Sequence, residues 1–272
     1  MIIEKDFAFR QMCGGRERQE DAFSYSLIGE HGDGSDGILA VVADGMGGHK
    51  SGETASKVAV EAFLCRFAVE PGSLHKRLVA SMIASNKALA AEFKRKPELE
   101  GMGTTLLAVA VTRTGIQWVS VGDSLLYLLR DGELKRLNAD HSFRPLLEAL
   151  IAAGELTPEM AARHPFRNLL RSALLGDEIE MIDAPEFPMT LQKGDLIIAA
   201  SDGLLSLSDS GIVKILSGDL SRKKASGLAE LLLKAVEDRR VTRQDNATVA
   251  VIRAMQDKKS PVRKKKHIVK SV

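Results

Sequence analysis

Five acidic clusters in the sequence lie directly against apolar runs that are typical of β-strands. Three follow such a run and two precede one, at Asp44, Asp123 and Asp202, then at Glu20-Asp21 and Asp245. An aspartate before glycine at the end of a strand is often only a turn, so each cluster alone is weak evidence. Carboxylates gathered at one sheet edge repel and raise one another's pKa unless cations neutralise them. Together the clusters therefore predict a cation site.

The residue types narrow the choice of cation. Carboxylates, backbone carbonyls and water suit Mg²⁺ or Mn²⁺, whereas zinc and copper prefer imidazole and thiolate. The six histidines have no paired ligand spacing, and Cys13 and Cys65 are far apart. His141, between two polar residues, is expected to make local hydrogen bonds. Gly45 lacks a Cβ, so a carbonyl group or substrate can approach closely.

A glycine-rich loop follows the first aspartate and could be taken for a nucleotide site. A P-loop needs a Gly-Lys step, which His49 interrupts between Gly48 and Lys50. The dinucleotide fingerprint fails as well, because Lys50 stands where the third glycine is needed for helix–sheet packing. The pattern therefore disfavours phosphate cradling by this loop and directs attention to Asp44.

A cysteine nucleophile is disfavoured too. Cysteine phosphatases place an arginine six positions after the cysteine, where this chain has Gln19 and Pro71. Two cysteines do not make a disulfide framework, and buried or idle thiols are the simpler interpretation.

The elements that must position the acidic residues alternate between strands and helices. The strand pattern occurs at 22–28, 38–43, 105–111, 116–121, 125–130, 133–137, 195–200 and 247–253, and the helical pattern at 52–67, 74–95, 143–153, 158–163 and 222–237. Asp131-Gly132 is a strong hairpin signal, and Thr157-Pro158 is a helix-start signal. Strands in adjacent hairpins and helices in separate runs predict antiparallel sheets covered by helices, an α+β fold.

Composition and charge limit the function classes. The chain has 272 residues, of which 44% are hydrophobic, as expected for a globular protein. The start lacks the apolar core of a secretory signal, and the apolar run 106–111 is too short to span a bilayer. We therefore expect a cytoplasmic protein without a transmembrane segment.

The charge is concentrated at the C-terminus. The whole chain carries +2 and the segment 257–272 carries +6, which leaves −4 for residues 1–256. A general nucleic-acid-binding domain would instead line a folded face with basic residues. We expect residues 1–254 to form one domain and residues 255–272 to be a disordered basic tail.

The motifs taken in order resemble the protein phosphatase 2C family of metal-dependent serine/threonine phosphatases, in its compact bacterial form. They are Arg16…Glu20-Asp21, VVADGMGGHKSGETAS at 41–56, GMGTTL at 101–106, VGDS at 121–124, ASDGL at 200–204 and QDNAT at 244–248. The resemblance covers about residues 10–254. It implies a sandwich of two antiparallel β-sheets flanked by α-helices.

The resemblance also implies a site with two Mn²⁺ or Mg²⁺ ions at one end of the sandwich. Asp44, Asp202 and Asp245 would hold the first ion, and Glu20, Asp44 and the Gly45 carbonyl the second. Asp123 with Asp202 matches the family's weaker site for a third ion. Asp21 and Asn246 would support the ligands, and Arg16 would grip the substrate phosphate through its planar fork.

In this family the ions lower the pKa of a bridging water, which attacks the phosphorus of phosphoserine or phosphothreonine directly. The sequence departs from the family pattern at two positions, where Gln19 replaces asparagine and Leu125 replaces the arginine after Gly-Asp-Ser. Met46 stands, as in bacterial relatives, where animal-type members have a histidine proposed as general acid. His49 is a weak candidate for that acid.

The segment 139–176 resembles the family's mobile flap, and it could equally be a simple helical connection. In it, Arg163, Arg167 and Arg171 are candidates for contacts with phosphoprotein substrates. The implied partners are phosphorylated proteins and a cognate serine/threonine kinase, and we expect a monomer. A non-catalytic pseudophosphatase that only recruits partners is the alternative, but such proteins lose metal carboxylates, and this chain has every expected acid.

Overall fold

The computed structural model describes residues 1–29, 37–47, 51–99, 101–218 and 223–254. Two predictions lie outside these ranges: the basic tail at 255–272, and the loop that carries His49 and Lys50. Among the helices of the described ranges, none combines the length and apolar character needed to cross a bilayer.

Two antiparallel sheets form the centre of the molecule. The first has the strand order β1-β10-β9-β7-β8 and the second β2-β3-β5-β6, with β4 paired to the end of β3. The strands are β1 Phe7–Met12, β2 Asp21–Ile28, β3 Gly37–Met46, β4 Gly103–Thr104, β5 Leu106–Thr112, β6 Gly115–Val121, β7 Leu125–Arg130, β8 Glu133–Arg136, β9 Leu196–Ala200 and β10 Ala247–Arg253.

Helices cover the outer face of each sheet. They are α1 Ser51–Val69, α2 Leu74–Arg95, α3 Arg144–Ala152, α4 Pro158–Ala162, α5 Asp209–Ser217 and α6 Ala225–Asp238, and short 3₁₀ turns occupy Pro97–Leu99 and Asp202–Ser206. Helices α1 and α2 pack on the β2–β6 sheet, and α5 and α6 pack on the other sheet. The result is the predicted sandwich with helices outside both sheets.

The alternation of side chains in the central strands explains the two-sided burial. In β3, Ile38, Ala40 and Val42 face the other sheet, while Leu39, Val41 and Ala43 face the helices. Successive strand residues point to opposite faces, so a strand buried on both faces is apolar at every position. This is why the sequence has continuous apolar runs here.

The sequence analysis missed three elements within the described residues. Strand β1 has the mixed sequence FAFRQM, and β4 is only two residues long. Helix α5 contains a glycine within nine residues, and the Ser208 hydroxyl caps it by accepting from the Gly211 amide. Short or mixed segments lack a clear period, so tertiary packing decides their conformation. The predicted start of α4 is confirmed, because Thr157 accepts a hydrogen bond from the Met160 amide.

Candidate metal centre

Asp44 and Asp21 meet at one end of the sandwich because of strand register. Asp44 continues the β3 series that faces the opposite sheet, and it is the antiparallel partner of Asp21 in β2. Directly opposed residues place their side chains on the same face, where like charges are destabilising. Both side chains are therefore directed to the end of the gap between the sheets.

Asp21 connects the two sheets. Its Oδ2 accepts hydrogen bonds of 2.7 Å from the Ser201 hydroxyl, after β9, and from the Thr248 hydroxyl, in β10. Its Oδ1 is buried and has no hydrogen-bond partner in the structure. Burial raises the pKa of Asp21 to about 6, despite the two hydroxyl donors. Asp21 thus links the two sheets at the position of the acidic cluster and carries a buried oxygen without a hydrogen-bond partner.

The backbone of Asp44 is held by the two threonines of the GMGTTL motif. The Asp44 amide donates to Thr105 Oγ1 at 3.0 Å, and the Asp44 carbonyl accepts from the Thr105 amide and the Thr104 hydroxyl. Thr105 also shares a 2.8 Å hydrogen bond with Ser124, next to Asp123. These bonds fix Asp44 relative to the connection between β6 and β7 that carries Asp123.

Asn246 fixes the loop before β2. Its Oδ1 accepts from the Glu20 amide at 2.8 Å, and its Nδ2 donates to the carbonyls of Cys13 and Arg18. Every polar group of this side chain is used, and it is almost fully buried. Asn246 therefore positions Glu20 beside Asp245, which is consistent with the predicted supporting role.

Gly45 stands where three chain segments approach very closely. A Cβ there would lie 2.1 Å from the Gly52 carbonyl oxygen and 2.6 Å from that of Glu20. The Gly45 amide also donates to the Glu20 carbonyl at 3.2 Å. A glycine is thus required by contact between β3, the start of α1 and the loop before β2.

The predicted metal residues line one cavity of about 310 Å³. They are Glu20, Asp44, Gly45, Asp123, Asp202 and Asp245, and Arg16 and Asn246 line it as well. Burial, and then repulsion from Asp21, Asp202, Asp123 and Asp245, raises the pKa of Asp44 well above its usual range. Burial and Asp245 also raise the pKa of Asp202. The fold therefore concentrates negative charge in one cavity, and bound cations would neutralise the repulsion between these carboxylates.

Two guanidinium groups already contact this cluster. Arg16 Nη2 donates to Asp245 Oδ2 at 2.6 Å, and both side chains are about half exposed. Arg144 Nη2 donates to Asp123 Oδ2, and this pair is nearly buried. Burial and Asp202 raise the pKa of Asp123 to about 7 although Arg144 opposes the shift.

The donor set fits Mg²⁺ or Mn²⁺. It consists of carboxylates with a nearby backbone carbonyl, the oxygen ligands that these ions prefer. Among the described side chains, however, no three Asp, Glu, His or Cys groups stand in an arrangement that would hold an ion directly. Side-chain rotation within the cavity is therefore needed to bring these oxygens onto a common ion.

A second cavity of about 730 Å³ adjoins the first and shares Asp202 and Asp245 with it. Arg136, Arg144, Arg167 and Arg243 line it, together with Asp140, Glu148 and Asp209. Of the three arginines predicted in the flap, Arg167 lines this cavity, and Arg163 and Arg171 are exposed. The structure thus places one of the three candidates beside the acidic cluster.

The departures from the family pattern have clear structural outcomes. Leu125 is fully buried in the core beneath α5 and α6, so it does not face Asp123. Gln19 donates to the Met12 carbonyl and accepts from the Asp21 amide. His141 accepts at Nδ1 from the Gly122 amide at 3.2 Å, which confirms its predicted hydrogen-bonding role.

The sequence analysis missed Arg144, Ser201 and Thr248 as members of the site. Ser201 and Thr248 are hydroxyl residues within the strand-end motifs and carried no signal of their own. Arg144 belongs to none of the quoted motifs and lies 21 residues after Asp123, so no local pattern marked it as a member of the site.

Comparison with known proteins agrees with this architecture. The family model described as protein phosphatase 2C matches residues 15–210. The serine/threonine protein phosphatase PstP of Mycobacterium tuberculosis is 39% identical over 216 residues, which cover 78% of this chain and 40% of that protein. The serine/threonine phosphatase stp of Listeria welshimeri is 33% identical over 174 residues, 62% of this chain and 67% of the relative.

A solved structure extends the similarity to the fold. The catalytic domain of PstP in complex with two manganese ions has a TM-score of 0.73 and 33% identity, and the match covers 92% of this chain and 98% of that one. The chain spans less than half the length of the full PstP protein. The matched family model includes the residues that bring Glu20, Asp44, Asp123 and Asp202 together, and this chain belongs to the protein phosphatase 2C family.

Proposed function

We propose that this chain hydrolyses phosphoserine and phosphothreonine in proteins with water activated at a centre of two Mn²⁺ or Mg²⁺ ions. The observation that carries the proposal is the convergence of acidic side chains from both sheets on one cavity, where their repulsion raises the pKa of Asp44. Such a cluster is favourable only when cations neutralise it. The PstP catalytic domain, solved with two manganese ions, supports the same assignment.

We assign the ligands as the sequence predicted them. Asp44, Asp202 and Asp245 would hold one ion, and Glu20, Asp44 and the Gly45 carbonyl the other. When bound, the ions supply a water of lowered pKa and neutralise the oxygens of the transferring phosphoryl group. Asp21 and Asn246 keep the strand ends and the Glu20 loop in place through the hydrogen bonds between the sheets.

Arg16 is the residue that would bind the substrate phosphate. Its Nη2 contacts Asp245 at the mouth of the cavity, and half of its side chain is exposed. A guanidinium carries five N–H donors, so the remaining N–H groups can donate to two phosphate oxygens in a bidentate way. This placement would orient the phosphorus toward the carboxylate cluster.

The substrates, partners and location are part of the same proposal. Phosphorylated proteins and a cognate serine/threonine kinase are the partners that this reaction implies. A monomer in the cytoplasm, with residues 1–254 as catalytic domain and 255–272 as a basic tail, follows from the sequence analysis.

The test is Mn²⁺-dependent turnover of a phosphothreonine peptide and of p-nitrophenyl phosphate, with Mn²⁺ binding measured by calorimetry in parallel. Binding and turnover of both substrates would support the proposal. Mn²⁺ binding without turnover of either substrate would favour the pseudophosphatase alternative. Absence of Mn²⁺ binding would contradict the metal centre itself.

A nucleotide site in the loop after Asp44 is the remaining alternative. Lys50→Ala tests it, because a P-loop needs its lysine on the terminal phosphates. We expect turnover within about twofold of the wild type and no ATP binding, since water activated by two ions needs no lysine of a phosphate loop. Loss of activity in Lys50→Ala with normal Mn²⁺ binding would overturn the assignment of Asp44.

A further inference from the structure

Arg144 is a positive charge held almost out of solvent inside the acidic cluster. Its Nη2 donates to Asp123 Oδ2, and the two side chains are 11% and 6% exposed. Its Nε donates to Ser142 Oγ at 3.1 Å and lies 3.4 Å from Asp140 Oδ2. Two carboxylates and a hydroxyl thus fix the guanidinium in the wall of the larger cavity.

Arg144 also lies near a second member of the cluster. Arg144 and Asp202 line the same cavity, and Asp123, which Arg144 contacts, lines the adjoining cavity together with Asp202. Asp123 and Asp202 are the pair that the family resemblance associates with a weaker third ion. A divalent ion on this pair would have to displace the guanidinium or share Asp123 with it, and like charges at that distance repel.

The same side chain connects the cluster to the flap. Arg144 is the first residue of α3, and the backbone around it pairs with the far end of the flap through Phe143 and Leu169. Ser142 and Leu170 form a further bridge. The contact between Arg144 and Asp123 therefore joins helix α3 to the acidic end of the sandwich.

We propose that Arg144 is a built-in cation at Asp123 and Asp202, which limits the cluster to two divalent ions and anchors α3. This inference rests on the metal centre of the proposed function and concerns only its third position. Arg144 acts as a positioning residue, since it reaches the reacting groups through Asp123.

The first test counts bound Mn²⁺ by equilibrium dialysis. We expect two ions in the wild type and in Arg144→Lys, which keeps the charge. We expect a third ion in Arg144→Met, bound at least about tenfold more tightly than any third ion in the wild type. That ion should be lost again in the double variant Arg144→Met/Asp123→Asn.

Arg130→Met is the matched control. Arg130 makes a bidentate pair with the buried carboxylate of Asp195, which directly precedes β9 and lies away from the cluster. Arg130→Met leaves the buried carboxylate of Asp195 without its arginine, as Arg144→Met does for Asp123. Asp195, however, has no second carboxylate of the cluster beside it, so we expect two bound ions. A third ion in Arg130→Met would show that any freed aspartate binds Mn²⁺, and would overturn the assignment.

The number of bound Mn²⁺ ions separates the proposed function from the proposed role of Arg144. No bound Mn²⁺ in the wild type would contradict the proposed function. Three ions of equal affinity in the wild type and Arg144→Met, or two in both, would leave the metal centre intact and overturn the role of Arg144.

A second measurement does not require Arg144 to be replaced. Amide hydrogen exchange over residues 144–152 should be faster in Asp123→Asn than in the wild type, because the anchor of α3 is weakened. Exchange in α6 serves as the internal reference and should not change. Equal protection of α3 in both proteins would overturn the anchoring role.

Discussion

Asp21 and Asp44 are a pair that a stable fold would normally avoid. They are direct cross-strand partners; Asp21 is buried and Asp44 is half-buried, and desolvation is the largest cause of the raised pKa of each. Like charges in this position are destabilising, and removal of a buried carboxylate from a repulsive cluster relieves that cost. The cluster therefore lowers the stability of the metal-free protein, and bound cations would remove that cost.

Asp44→Asn tests this trade at a single residue. The amide keeps the size of the side chain but removes the charge, so Mn²⁺ affinity and Mn²⁺-dependent turnover should fall by at least about 100-fold, more than is typical for outer ligands. The melting temperature without metal should stay the same or rise. Calorimetry, phosphopeptide turnover and thermal melting in EDTA measure the three effects.

Asp131→Asn is the control for Asp44→Asn. Asp131 lies in the β7–β8 hairpin with a φ of 51°, and asparagine tolerates that conformation. It should change neither Mn²⁺ binding nor turnover. An active Asp44→Asn with unchanged Mn²⁺ affinity would refute the assignment of Asp44 as a shared ligand.

At the scale of elements, the junction of β3 and α1 depends on Gly45. Gly45→Ala would place a Cβ 2.1 Å from the Gly52 carbonyl oxygen, so the backbone must shift. We expect a loss of stability of roughly 1–3 kcal/mol, as for other overpacked positions, and weaker Mn²⁺ binding. Thermal melting and calorimetry check both.

Gly218→Ala is a suitable comparison for Gly45→Ala. Gly218 ends α5 with a φ of −69°, and a Cβ there would meet no atom within 4 Å. Its melting temperature should stay within a few degrees of the wild type. If Gly45→Ala melts like Gly218→Ala and binds Mn²⁺ normally, the close approach at this junction is not required.

The arginines of the flap, the segment 139–176, are expected to contribute to the recognition of phosphoprotein substrates. Arg167 lines the large cavity beside Asp202, so Arg167→Ala should lower kcat/KM for a phosphopeptide by about 10-fold, within the usual range for a charged contact. The effect on p-nitrophenyl phosphate should be small, because that substrate is too short to reach Arg167. Arg163→Ala and Arg171→Ala should have weaker effects on the peptide. Equal losses on both substrates would indicate damage to the structure instead.

The elements were predictable where the apolar residues formed a continuous run or followed a clear helical period. Strands such as β3 are apolar on both faces, and α2 was predicted with its observed bounds, Leu74–Arg95. Strand β1 and helix α5 could not be found in this way, because β1 is stabilised by pairing with β10 and α5 is short. Register between distant strands likewise follows from packing that no local pattern records.

The site could be predicted as a list of residues but not as a set of contacts. The motifs named six candidate metal ligands, and all of them line one cavity. The pairings of Arg16 with Asp245 and of Arg144 with Asp123 join residues that are far apart in sequence. Such pairs depend on how loops approach the sheets in three dimensions, which the strand-end pattern leaves open.

At the scale of the whole molecule, the acidic cluster should make the metal-free protein sensitive to pH. The pKa values of Asp21 and Asp123 are raised to about 6 and about 7, whereas unfolded aspartate titrates near 3.9. The folded state thus binds more protons between these values. Its stabilisation is complete below about pH 4 and is lost as the pH rises through 6 and 7.

From pH 6 to pH 8 these two groups should cost on the order of 2 kcal/mol of stability, or roughly 4–8 °C in melting temperature. His141 acts in the opposite direction, because burial lowers its pKa and its contribution is lost as the pH falls below about 6.5. Melting of EDTA-treated protein across this range is the measurement.

Asp202→Asn should flatten this pH dependence, because Asp202 raises the pKa of both Asp21 and Asp123. Asp131→Asn should leave the slope as it is. Saturating Mn²⁺ at pH 8 should restore stability, by about 2.7 kcal/mol at 100 times the dissociation constant. A metal-free protein that melts higher at pH 8 than at pH 6 would contradict the electrostatic account of the site.

Strand β10 brings the last described residues into the sheet. Strand β10 ends at Arg253, and the Ala254 amide donates to the Asp195 carbonyl at 3.0 Å, so residues up to 254 take part in the sheet. Truncation after Ala254 should keep turnover of p-nitrophenyl phosphate within about twofold and leave the melting temperature nearly unchanged, because the removed segment is highly basic and low in apolar residues. Truncation after Asn246 is the contrasting variant; it removes β10, which pairs with both β1 and β9, and should not fold. If the protein shortened after Ala254 loses activity on the small substrate, residues beyond 254 belong to the catalytic fold.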